Sequence, residues 1–212
     1  MNKEELFDVI DKLDLLSTDY KNLAKIIMKQ DTQVMKVDLI ALSVLNRAVS
    51  INNAFKTLVK ENNTFAALHF IRIQIDNLIR YYSILIAEDE NYIDYVLEGK
   101  PINQFKDLNK KQFSDSYLVK TLSKTFADIM DLYEKYCGHI HFGKEHLERI
   151  KTISENKQPQ FRVEIGNFEN YSLEERKTFV IDFITISMLL HKLIEDWVVT
   201  KDTFLNNMQQ VT

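Results

Sequence analysis

The residues best suited to chemistry fall in two clusters. In the stretch Thr64 to Ile86, TFAALHFIRIQIDNLIRYYSILI, the polar exceptions include His69, Arg72, Asp76, Arg80 and Ser83. At about 100° per residue these five occupy an arc of roughly 60–80° on one side of a helix. An ordinary surface helix has a far wider polar face. The narrow ionic stripe therefore predicts a central helix that carries its charges into a polar seam. Arg72 and Asp76, then Asp76 and Arg80, are i,i+4 neighbours, so one carboxylate is spaced to hold two guanidinium groups. Two arginines against one aspartate leave donors for an incoming anion. The stripe also fits two plainer roles, the one solvated edge of the helix or an ion triad that fixes its register.

The second cluster is LYEKYCGHIHFGKEH, which brings His139, His141 and His146 close together in sequence. The spacing H-x-H-x4-H lacks the cysteine pairs or the helical HExxH pattern of zinc sites, so no metal is expected. Imidazole titrates near neutrality, and general acid–base use of one histidine is the better reading. Capping or packed histidines in a tyrosine-rich junction is the plain alternative. Cys137 has no base that spacing would turn toward it and reads as a small buried hydrophobe. His191 and Trp197 read as core. There is no phosphate-cradling glycine loop, no GxSxG elbow and no kinase motif set, and no cofactor is expected.

A coherent chemistry joins the clusters. Arg72 and Arg80, with Arg47 as a third contributor, would hold a phosphate while a histidine moves a proton, as ribonucleolytic cleavage requires. Without turnover, the same seam would serve a binding module for a small anionic ligand, a nucleotide or a protein partner.

The elements that must position these groups are helical. Four Gly and two Pro in 212 residues are too few for a strand-rich fold, and thirteen Phe with nine Tyr supply a real core. Residues 3–30 read as one or two amphipathic helices, with Ser17 or Thr18 able to cap the second. Thr32 to Glu61 reads as a long helix. Its Ser43, Asn46, Arg47, Ser50 and Asn53 form a lightly polar face suited to packing on a neighbour. Asn62 and Asn63 make the turn into the central helix. After Ile86 come a short helix, Tyr92 to Leu97, and a Lys- and Asn-rich excursion of the kind that is often functional. One helix is expected from Tyr117 to Tyr136, with Gly138 at its C-cap and a new helix near Lys144. Within the loop 154–170, FRVEI alternates, which allows at most a short β-hairpin near residues 160–168. Ser172 with Glu175 is a capping-box signature that opens the last helix, to about Lys201.

The whole is expected to be a single all-α helical-bundle domain over residues 1–212. One cysteine, a charged N-terminus without an apolar core and the charges within Phe179 to Val199 fit a cytoplasmic protein with no membrane span. A net charge of −4 gives no global basic field, so nucleic-acid contact would need a local patch.

RIQIDNLIRYY, then YLVKTLSK, then YEKYCGHIHFGKEH resemble uncharacterised bacterial helical proteins found among genome-defence and abortive-infection genes. The wider resemblance is to the HEPN superfamily and covers roughly Asp38 to Ile150. It implies a small helical bundle, homodimeric, often a metal-independent ribonuclease acting as a toxin or anti-phage effector, with RNA or a protein from the same defence locus as partner. The family's catalytic pattern is Arg, four to six residues, then His. His141 matches the histidine, but Lys135 stands in the arginine position, a point charge without the bidentate fork. The resemblance therefore implies His141 as acid or base, with guanidinium supplied by Arg72 or Arg80 from the neighbouring helix. Asp76 would orient both, with Tyr136 and His139 assisting, and the remaining alternative is a non-cleaving relative.

Overall fold

The computed structural model describes residues 3–29, 33–89, 91–140, 152–153, 161–162 and 171–209. Its described residues form an all-α helical bundle. The helices are α1 (Lys3–Ile27), α2 (Lys36–Lys60), α3 (Thr64–Ile86), α4 (Tyr92–Leu97), α5 (Asp115–Leu122), α6 (Ile129–Ile140) and α7 (Leu173–Gln209). The one described strand pair is antiparallel, with Thr152 opposite Arg162 and Ile153 opposite Phe161.

α3 is the central helix, packed against α2, α5, α6 and α7, while α1 packs on α2 and α7. Its apolar girth explains the position: Ala67, Leu68, Ile71, Ile75, Leu78, Ile79, Tyr81 and Ile84 are all buried, on several sides of the helix. Burying a helix this completely requires its remaining polar groups to find partners. Gln74 donates to Tyr20 and Ser187, at 3.2 and 3.0 Å, and Tyr20 donates to the Ser187 carbonyl at 2.7 Å. Asn77 reaches the Val44 carbonyl at 3.3 Å. These bonds tie α3 to α1, α2 and α7 and fix register in an otherwise greasy core.

The α2–α3 link is built as its sequence suggests. Asn62 takes a left-handed conformation (φ 56°), which asparagine tolerates, and the Asn63 side chain caps α3 by accepting from the Ala66 amide. The capping box of α7 is also formed: Ser172 N donates to Glu175 at 2.8 Å and Glu175 N donates to the Ser172 hydroxyl at 3.2 Å.

Several expectations need correction. Residues 3–27 form one helix. Thr18 bonds back to the Asp14 carbonyl, and Ser17 turns inward to buried Asn52 instead of capping a break. The expected helix 117–136 is two, because turns at 123–128 end α5, and α6 restarts where the Asp128 carbonyl accepts from Leu132 N. Gly138 lies inside α6, not at a cap. Ser43, Asn46, Arg47, Ser50 and Asn53 are exposed instead of packed on a neighbouring helix of this chain. Thr32, Lys144 and most of FRVEI lie outside the described residues.

Candidate functional site

The stripe on α3 does enter a polar seam, but with a fourth member. Arg72 Nη1 donates to Asp76 at 3.0 Å, and Arg80 Nη2 lies 3.6 Å from the same carboxylate oxygen. Asp115, the first residue of α5, binds both guanidiniums and is the closer partner of Arg80. It takes Arg72 Nη2 on one oxygen at 3.1 Å and Arg80 Nη2 on the other at 2.5 Å. Two arginines now face two aspartates, so the surplus charge expected of the trio is cancelled. Asp115 arrives because Ser114 caps α5 by accepting from Tyr117 N, which sets the next residue at the helix N-terminus, where a carboxylate is favoured.

Arg72 has a third tie. Its Nε donates to Cys137 Sγ of α6 at 3.3 Å, and its guanidinium stands over the Tyr133 ring, 4.7 Å from the centroid. Tyr133 and Cys137 are one helical turn apart, so one face of α6 covers Arg72. Burial works against the Arg72 charge, but the bonds to Cys137 and Asp76 outweigh it and hold its pKa above the ordinary value. Burial, then contact with Cys137, raises the Tyr133 pKa. Cys137 is thus a half-buried acceptor for a cation and not an inert hydrophobe. Arg80 is less occupied, and its Nη1 is buried without a hydrogen-bond partner.

A different face of α6 docks on α7. Tyr136, fully buried, donates to Asp182 at 2.6 Å, and Lys135 Nζ reaches the same oxygen at 2.7 Å. Burial and then the Asp182 carboxylate push the Tyr136 pKa up. His139 is buried beside Tyr136 and edge-on to Phe179, with ring centroids 5.9 and 6.5 Å away. Lys135, Tyr136 and His139 therefore converge on α7, away from Arg72.

The remaining expected site residues are dispersed. His69 turns back on its own helix, Nδ1 3.1 Å from the Phe65 carbonyl. Arg47 is exposed on α2 and does not join the seam. His141 and His146 lie outside the described residues. His191 is half-buried against Tyr20, at a centroid separation of 6.1 Å.

Asp115, Asp182 and the buried pair Lys201–Asp38 have no signal in sequence spacing, because each meets its partner across helices. That pair, at 2.6 Å, joins α7 to the start of α2. Trp197, half-buried rather than core, donates its indole N–H to the other Asp38 oxygen at 2.9 Å. A groove of about 330 Å³ lies beside it, lined by Val37, Ile84, Leu85, Asp196, Trp197 and Thr200, and no seam residue contributes to it.

No protein-family model, curated protein or solved structure matches the chain. No described helix is long and apolar enough to cross a membrane.

Proposed function

We propose that this chain is a HEPN-like, metal-independent RNA-cleaving protein of the toxin or anti-phage type. His141 serves as its acid–base group and the α3 seam as its rigid support. The observation that carries this reading is the bond from Arg72 to Cys137. It ties the guanidinium seam to the helix whose sequence leads, four residues later, to His141. Each nitrogen of Arg72 already has a partner in Asp76, Asp115 or Cys137, so it acts as a positioning residue. Arg80 keeps one unpartnered nitrogen, which is buried, so a phosphate oxygen reaches it only when the groups covering the seam move aside. His139, buried against Tyr136 and Phe179, supports the end of α6.

The test is cleavage of mixed-sequence RNA by the full chain with divalent metals chelated. Cleavage that disappears in His141→Ala and weakens in Arg80→Ala supports the reading. RNA left intact by the unaltered chain ends it.

One observation favours a second reading, a non-catalytic binding module. Asp115 neutralises the seam, and the one donor left unpaired, a buried Arg80 nitrogen, would take a single anionic group once its cover opens. This reading expects thermal stabilisation of the chain by a nucleotide, lost in Arg80→Ala, with no RNA cleavage.

A further inference from the structure

The Lys- and Asn-rich excursion is an ordered hairpin. Lys106 pairs with Gln112, Phe113 N donates to the Phe105 carbonyl at 3.0 Å and Asp107 N donates to the Lys111 carbonyl at 2.9 Å. Its tip closes where Lys110 N and Lys111 N donate to the Asp107 carbonyl and carboxylate, with Lys110 left-handed at φ 60°. Its base is a cluster of rings in tilted and edge-on contact: Phe105 and Phe113 lie 4.4 and 5.1 Å from Tyr92, centroid to centroid. The Tyr92 hydroxyl, in turn, is 2.7 Å from Ser83 of α3. Two residues after Phe113 the chain delivers Asp115 to Arg72 and Arg80. The hairpin is therefore anchored at its base on Tyr92 of α4, and its second arm leads into the seam through Asp115.

Its charge is one-sided. Lys106, Lys110 and Lys111 are exposed and make no ion pair among the described residues. Lys36 and Lys100, by contrast, are paired with Asp94 and Glu98, while Lys120 and Lys124 just beyond the hairpin are exposed like its own lysines. The one carboxylate within residues 105–113, Asp107, is committed to the Lys111 amide. Three lysines against one aspartate make a basic tip on a chain whose net charge is −4. This is the local basic patch that nucleic-acid contact requires of an acidic protein.

Resting on the RNA-cleaving reading above, we propose that the hairpin Phe105–Phe113 grips the phosphate backbone of the RNA substrate through Lys106, Lys110 and Lys111. Charge complementarity selects a polyanion. The exposed large hydrophobics of the hairpin amount to Leu108 alone, which is little apolar surface for a lipid bilayer. Because the hairpin continues directly into Asp115, RNA held on it lies beside the α3–α6 seam. Contacts to phosphate carry no base information, so the grip is independent of sequence.

The test is fluorescence anisotropy with a labelled mixed-sequence single-stranded RNA across a salt series, in the full-length His141→Ala background. Cleavage by the unaltered chain is measured separately. The comparison is a triple variant, Lys106→Gln, Lys110→Asn and Lys111→Gln, with asparagine chosen to suit the left-handed backbone at 110. Loss of three phosphate contacts makes the slope of log K against log salt shallower by about 2 and weakens binding about tenfold or more at low salt. The melting temperature stays unchanged, as expected for exposed side chains. Binding with the expected loss, without cleavage by the unaltered chain, supports the hairpin and sinks the nuclease. Cleavage by the unaltered chain with an unaffected triple variant does the reverse. Absence of RNA binding, or binding instead to phosphatidylserine vesicles that is lost in Leu108→Ser, overturns the hairpin proposal.

Discussion

Arg72 donates from Nη1 within its own helix, from Nη2 to α5 and from Nε to α6. Its removal leaves Asp76 and Asp115 with Arg80 as their remaining partner and opens the face under Tyr133. Arg72→Ala is expected to cost about 2–4 kcal/mol, read from urea unfolding, and Arg72→Lys to recover only part because it lacks the fork. The deeper ionic site is elsewhere. Lys201 is 4% exposed and Asp38 is fully buried. Lys201→Met, which strands a buried carboxylate, is expected to cost about 3–5 kcal/mol, and the double variant Asp38→Asn, Lys201→Met less than that. Tyrosines give a third residue-scale expectation. Burial raises the pKa of Tyr92 from 10.0 to about 12, and it also raises those of Tyr20, Tyr81 and Tyr136. Above pH 10 the unfolded chain sheds these protons while the folded chain retains them, so the unfolded state binds fewer protons and stability falls. Stability is therefore complete below pH about 10 and is lost from there upward, through pH about 12 for Tyr92. A pH series of urea midpoints checks this, alongside tyrosinate absorbance that appears only on unfolding for these four.

At the scale of elements, sequence periodicity located α2, α3, α4 and α7 because each is a run with its own caps or its own apolar face. The Ser172–Glu175 box is formed, and Ser172→Ala is expected to cost about 1 kcal/mol in the same unfolding assay. The division of 117–136 was not legible. Its apolar residues keep helical spacing across the turns at 123–128, so the pattern alone does not mark the interruption. The seam was half legible. Arg72, Asp76 and Arg80 share one helix, and i,i+4 spacing is enough to pair them. Asp115, Cys137 and Asp182 meet their partners across helices, and no local pattern encodes which helix lies beside which. Gly99 ends α4 at φ 73° with open space around its α-carbon, so Gly99→Ala is opposed by backbone strain alone, about 1 kcal/mol.

For the molecule as a whole, α3 serves as both the core and the carrier of the charged seam. The apolar positions that bury it are the reason Arg72 and Arg80 are held so tightly, since their stripe is the part of the helix closed over by α5 and α6. Composition conveyed the all-α bundle directly, through its scarcity of Gly and Pro. Function was less legible, because its proposed parts sit on separate elements: an orphan donor on α3, a basic hairpin before α5, and His141 in the sequence just beyond α6. The most direct measurement of the central claim is electrophoresis of labelled RNA incubated with the full chain under metal chelation, beside His141→Ala. Fragments are expected from the unaltered chain and none from His141→Ala. Intact RNA in both lanes, or equal fragmentation in both, contradicts that claim.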